Sequence, residues 1–135
     1  MRLGDPEVDR MRGLAEAACR RAYAPYSGLH VGAAVMVEGG ELFAGCNVEN
    51  ASYSLTICAE RNALFQAVST GHRRLLAVAL YSDTPVPLVP CGACRQVLAE
   101  FGPDCDVFCF SPVAAPAHFQ LSELLPVPFS LRSHR

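Results

Sequence analysis

Between residues 5 and 24, in DPEVDRMRGLAEAACRRAYA, the apolar positions Val8, Met11, Ala15, Ala18 and Ala22 recur at helical spacing. Asp5 stands at the cap position and Pro6 at the first helical position, so the pattern predicts an amphipathic helix that begins there. The period then changes. HVGAAVMVEGGELFAGCNV, residues 30–48, reads as two β-rich runs joined at Gly39-Gly40, a hairpin signal. After the polar loop ENASYSLT a second helix is predicted from about Cys58 to Ser69, closed by Gly71.

LLAVALYS, residues 75–82, is a continuous apolar run of strand length, the pattern of a strand covered on both faces. DTPVPLVP breaks it, CGACRQVLAEF predicts a third helix ending at Gly102-Pro103, and CDVFCFS predicts another strand. A short LSELL helix precedes Pro126, and the closing SLRSHR reads as a mobile tail. The order helix, hairpin, helix, strand, helix, strand argues for a three-layer mixed α/β sheet whose later strands are parallel. There is no internal repeat, and 135 residues fit one domain, 1–135.

Composition narrows the function. All eleven basic residues are arginine, which excludes a Schiff-base lysine and a phosphate-loop lysine. A formal net charge of −2 leaves no electrostatic footprint for a nucleic-acid backbone, so a small-molecule substrate is expected. No apolar run approaches the ~20 residues of a membrane span, and the start has no export signal, which points to a cytoplasmic protein. Seven cysteines are then expected to stay reduced and to serve metal binding or thiol chemistry. The hydrophobic fraction of 51% is high for so short a chain and hints at oligomerisation.

Three of the cysteines, Cys58, Cys91 and Cys94, fall where two helices begin, where unpaired N–H groups and the helix dipole lower a thiol's pKa. Three protein ligands leave the fourth zinc position free, which is the catalytic arrangement. Arg61 lies one turn beyond Cys58 on the same face and can donate hydrogen bonds to thiolates, withdrawing charge from the sulfurs. Glu60 lies about 200° around the helix from Cys58, so it is free to face substrate as a general acid–base. Other readings compete. C-x-x-C also suits a redox pair, Cys46, Cys105 or Cys109 would close a structural four-cysteine zinc site, and Glu60 with Arg61 would suit a solvated helix face.

AYAPYS, VGAAV, GCNVENASY, CAERNA, PCGACRQ and ELLPVPF occur in order across nearly the whole chain, and together they resemble the cytidine deaminase family, in its small homotetrameric C-A-E form. The resemblance implies a three-layer α/β/α sandwich with a mixed five-stranded sheet and one zinc per chain on Cys58, Cys91 and Cys94. It implies hydrolytic deamination of cytidine and deoxycytidine in pyrimidine salvage, with Glu60 carrying the protons. It further implies that Asn47 and Glu49 hold the ribose 3′-hydroxyl, that backbone around Ala59 reads the base, and that Tyr53 and Phe129 approach a neighbouring subunit's site. The sequence departs from the family at Leu29, where relatives commonly carry phenylalanine, at His30 in place of proline, and at Asn62 in place of threonine. Leu29 keeps an apolar contact without an aromatic face, so weaker nucleoside binding is expected, and a modified cytosine nucleoside of the blasticidin type is the rival substrate.

Overall fold

The computed structural model describes residues 1–132, so the last three positions of the SLRSHR tail lie outside the described residues. Helices α1 (Pro6–Cys19), α2 (Ala59–Ser69), α3 (Gly92–Phe101) and α4 (Leu121–Leu124) surround strands β1 (Val31–Val37), β2 (Leu42–Cys46), β3 (Leu75–Ser82), β4 (Asp106–Phe110) and β5 (Ala117–Gln120). The strands form one sheet in the order β2-β1-β3-β4-β5. Only β3 and β4, joined through α3, pair in parallel; the other neighbours are antiparallel. This is the mixed five-stranded α/β arrangement that the sequence leads one to expect.

Side-chain alternation along the strands builds two cores. Ala34, Met36, Ala79 and Phe108 face α1 and pack on Val8, Met11 and Ala15. Ala33, Val35, Val78 and Val107 face the opposite way and pack on Ala63, Leu64 and Ala67 of α2, Leu98 of α3 and Leu121 of α4. Every residue of β1 is buried, which is why its sequence shows no alternation of apolar and polar positions. Cys19 sits in the first core and Cys105 and Cys109 in the second, where they act as small apolar residues. Burial pushes the thiols of Cys105 and Cys109 up to about 12, so both stay protonated.

Several local expectations need correction. The first helix ends at Cys19 rather than continuing through Ala22, because the chain leaves it to pair Tyr23 with Val48; the Tyr23 N–H donates to the Asn47 carbonyl at 3.0 Å. Asp5 holds the cap position without capping through its side chain, and its carboxylate accepts instead from the Arg2 N–H at 2.8 Å. Strand β5 was not visible in the hydrophobic pattern. Its four residues are too few to show a period, and they are held by cross-strand contacts: His118 stacks on Phe108 at 4.3 Å, and His118 and Gln120 both donate to Asp106.

Two strand glycines set how closely the helices approach. A Cβ at Gly32 would lie 1.9 Å from the Ala15 carbonyl oxygen of α1, and one at Gly45 would lie 2.6 Å from the Ala63 nitrogen of α2. Both obstacles are backbone and cannot rotate away. Gly32→Ala is therefore expected to lower unfolding free energy by about 3 kcal/mol, read from the urea midpoint. An unchanged midpoint would show that α1 can lift from the sheet without cost.

Candidate metal centre and substrate cavity

Two helix starts converge on the site. Cys58 is the N-cap of α2 and Cys91 the N-cap of α3, both in extended backbone conformation, and neither sulfur caps its own helix. Cys94 follows in the first turn of α3 and is fully buried. All three sulfurs lie within 4.8 Å of one another, and Cys58 Sγ is 3.9 Å from Cys91 Sγ. A tetrahedral ion with bonds of about 2.3 Å to sulfur needs edges of about 3.8 Å, so the soft donor set fits zinc in both chemistry and spacing. Among the described residues, Cys46, Cys105 and Cys109 do not join this cluster.

The sulfurs share protons and charge. Hydrogen bonding from Cys94 pulls the Cys58 thiol down to about 5 against the opposing effect of burial, and Arg61 adds to the pull through Nη2, 3.4 Å from Cys58 Sγ. The same pairing with Cys58 holds the Cys94 thiol protonated. An ion bound by these sulfurs would replace the shared protons. Arg61 Nε is buried and has no hydrogen-bond partner among the described residues.

Further contacts hold the frame. Arg95 donates from Nε to the Pro90 carbonyl at 2.7 Å and from Nη1 to the Leu124 carbonyl at 2.9 Å, tying the loop before Cys91 to α4. Asn62 donates to the Cys46 carbonyl at 2.8 Å, which joins α2 to the end of β2.

Glu60 lines a cavity of about 330 Å³ together with Leu29, Asn47, Glu49, Ala59, Cys58 and Cys91 among others, and its carboxyl stays within hydrogen-bonding reach of Cys94. Its side chain is only 4% exposed, and burial pushes the carboxyl up to about 7. Asn47 spans two strand ends: Oδ1 accepts from the Val31 N–H at 2.9 Å and Nδ2 donates to the Leu29 carbonyl at 2.8 Å. Glu49 Oε1 accepts from the N–H groups of Tyr26 and Ser27 at 3.0 and 3.1 Å, and Oε2 accepts from the Ser27 hydroxyl. The Ser27 hydroxyl bond is the main reason the Glu49 carboxyl is held below the usual range, and it keeps the group anionic.

The family model for the "Cytidine and deoxycytidylate deaminase zinc-binding region" matches residues 7–110. The chain belongs to this deaminase family. A cytidine deaminase of Halalkalibacterium halodurans is 47% identical over 91% of this chain and 96% of its own length. One from Mycobacterium tuberculosis is 45% identical over 93% of each chain. The crystal structure of a cytidine deaminase from Burkholderia pseudomallei superposes with a TM-score of 0.85 at 44% identity, covering 90% of this chain and 98% of that one.

Of the residues singled out from the sequence, the deaminase fold brings Cys58, Cys91, Glu60, Ala59, Asn47, Glu49 and Leu29 to one cavity, with Cys94 buried beside the two cysteines and Arg61 bonded to Cys58. Tyr53 and Phe129 do not line it; they are 64% and 69% exposed on the surface. Sequence reasoning missed Ser27, Leu88 and Val89, which also line the cavity, and Arg95, which braces the metal loop. Leu88 and Val89 are signalled by their position just before PCGAC, and Ser27 and Arg95 only by lying within AYAPYS and PCGACRQ.

Arg61→Met keeps a long side chain while removing the donor to Cys58. It is expected to weaken metal retention about 10- to 100-fold, measured by competition with a chromogenic chelator. Retention equal to wild type would mean that the guanidinium does not support the thiolates.

Proposed function

We propose that the chain is a zinc-dependent hydrolase converting cytidine and deoxycytidine, with water, to uridine and deoxyuridine plus ammonia in pyrimidine salvage. One observation carries this reading: a buried carboxyl, Glu60, opens into the same cavity as a three-cysteine cluster on two helix starts. One zinc ion per chain, on Cys58, Cys91 and Cys94, would lower the pKa of a water molecule enough to make it a nucleophile near neutral pH.

The remaining work falls to side chains of this chain. Glu60 takes a proton from the attacking water and gives it to the ring nitrogen beside the carbon that carries the amino group. It then moves a second proton from the hydroxyl newly added to that carbon to the amino group, so that the carbon–oxygen double bond forms as ammonia leaves. Ala59, fully buried at the start of α2, offers backbone groups that can read the base. Asn47 and Glu49 would hold the ribose, and their own hydrogen bonds to the chain fix them before the nucleoside arrives. Leu29, 37% exposed at the cavity mouth, supplies an apolar wall.

The whole chain, 1–135, acts in this proposal as a single cytoplasmic domain within a homotetramer, with neither nucleic acid nor membrane as partner. Phe129 supports the assembly. Its backbone is clipped to Gln96 of α3 by two hydrogen bonds of 2.9 and 3.1 Å while its ring projects outward. Tyr53 is likewise exposed, steadied by an edge contact with Tyr26 at 5.8 Å between ring centres. Aromatic rings held outward in this way are suited to a neighbouring subunit's site. Among the described residues no helix is long and apolar enough to cross a membrane.

Ammonia release from cytidine tests the reading. Glu60→Gln is expected to keep one zinc per chain and to lose about 10³-fold or more in kcat. Wild type that carries zinc but leaves cytidine and deoxycytidine untouched would overturn the substrate. Leu29→Phe is expected to lower the KM for cytidine about three- to tenfold by restoring an aromatic face. An unchanged KM would show that Leu29 does not touch the base.

A further inference from the structure

His30 and Asp83 lie outside the cavity, and neither has a part in the chemistry above. Asp83 follows the last residue of β3 and His30 precedes the first residue of β1, just beyond the pairing of Val31 with Ser82. The Asp83 carboxylate grips one residue twice. Oδ2 lies 2.7 Å from His30 Nδ1, and Oδ1 accepts from the His30 N–H at 3.1 Å. The Asp83 N–H returns a bond to the His30 carbonyl at 3.2 Å, and Cys19 Sγ donates to the same carbonyl at 3.3 Å.

Neighbouring peptide groups are held from the cavity side. The Leu29 N–H donates to Ser27 Oγ at 3.0 Å, while the Leu29 carbonyl and the Val31 N–H are both bound by the Asn47 amide. Residues 29–31 are therefore stretched between an outer clamp, Asp83, and an inner one, Asn47. A shift of His30 must move Leu29 and the amide of Asn47 with it, because no peptide group in the segment is left free to absorb the change.

We propose that His30 and Asp83 are positioning residues that set where Leu29 and Asn47 stand, and so tune nucleoside binding without entering the chemistry. The proposal rests on the deaminase reading above. The arrangement is not a Cys–His–Asp nucleophile, because Cys19 addresses the His30 carbonyl rather than its ring and is itself buried. Nor is the pair a stability device: the side chains are 40% and 42% exposed, and ion pairs so exposed add little to folding.

The test uses the zinc-loaded full chain and compares wild type with His30→Ala, Asp83→Ala, the double variant and His30→Asn. The alanine variants are expected to raise the KM for cytidine about fivefold, with kcat within about twofold and zinc content unchanged. The double variant is expected to be no worse than Asp83→Ala, since both substitutions break one clamp. His30→Asn, whose amide nitrogen can stand where Nδ1 stands, is expected to restore KM. In NMR spectra of the free protein the side-chain amide signals of Asn47 are expected to move in His30→Ala and to return in His30→Asn.

An unchanged KM in both alanine variants overturns the proposal, as does a parallel fall of kcat and zinc content. Asn47 amide signals that stay in place overturn the clamp itself, whatever the substrate is. If wild type fails to deaminate cytidine, the functional reading falls and the role in KM falls with it, while the Asn47 signals still report on the clamp.

Discussion

Three sulfur atoms supplied by two helix starts, 33 residues apart in sequence, have to meet within 4.8 Å, and much of the fold serves that demand. A helix start is a good place for a thiolate, since its free N–H groups favour negative charge. Two such starts converge only if both helices lie on the same face of one sheet and point the same way along it. The packing of α2 and α3 against Val35, Val78 and Val107 supplies that face, and the parallel pairing of β3 with β4 brings α3 back beside α2. Gly45 then lets α2 rest directly on β2, so the metal-bearing turn is set by backbone contact rather than by adjustable side chains.

Electrostatics separates Cys58 from the core cysteines Cys105 and Cys109 by environment alone. Cys58 has Arg61 and two neighbouring thiols to share its charge, and it ionises far below an ordinary cysteine. For Cys105 and Cys109 burial outweighs every opposing effect, including the charge of Arg95 near Cys109, and drives them the other way. Residue type is identical throughout, so what marks the three candidate ligands is their place at a helix start and their convergence. Low-dielectric surroundings act in the same direction on Glu60, which sits among the ligands in sequence and lines the cavity. Desolvation favours its neutral form, as a group that must both accept and release a proton requires.

Much of this was legible in the chain because the signals are local. The Gly39-Gly40 hairpin has both glycines at positive φ, 100° and 90°, as such a turn demands. Helices α2 and α3 begin within one residue of where their caps predict, and the spacing Cys58, Glu60, Arg61 already separates a ligand, a cavity-facing acid and a thiolate donor around one helix. What stayed hidden depends on tertiary partners. The end of α1 is decided by the bridge from Tyr23 to Val48, and β5 by bonds to Asp106. Asn62, unexplained from sequence, proves to be a tie from α2 to the Cys46 carbonyl. Ser27 looks like any loop serine until Glu49 and the Leu29 N–H are seen to share its hydroxyl.

That sharing shows how closely substrate recognition and chain architecture are joined. Asn47 and Glu49 each spend most of their hydrogen-bonding capacity on the protein: Asn47 on Leu29 and Val31, Glu49 on Tyr26 and Ser27. A polar group already committed in this way loses little conformational freedom when a ligand arrives, so the entropy of ordering the site is met during folding. The same commitment couples the two walls of the cavity. Ser27 links the Glu49 carboxylate to the backbone of Leu29, and Asn47 links that backbone to the start of β1. The apolar wall and the polar wall therefore cannot be varied independently, and a change at Leu29 is felt through a frame that also carries Asn47 and Glu49.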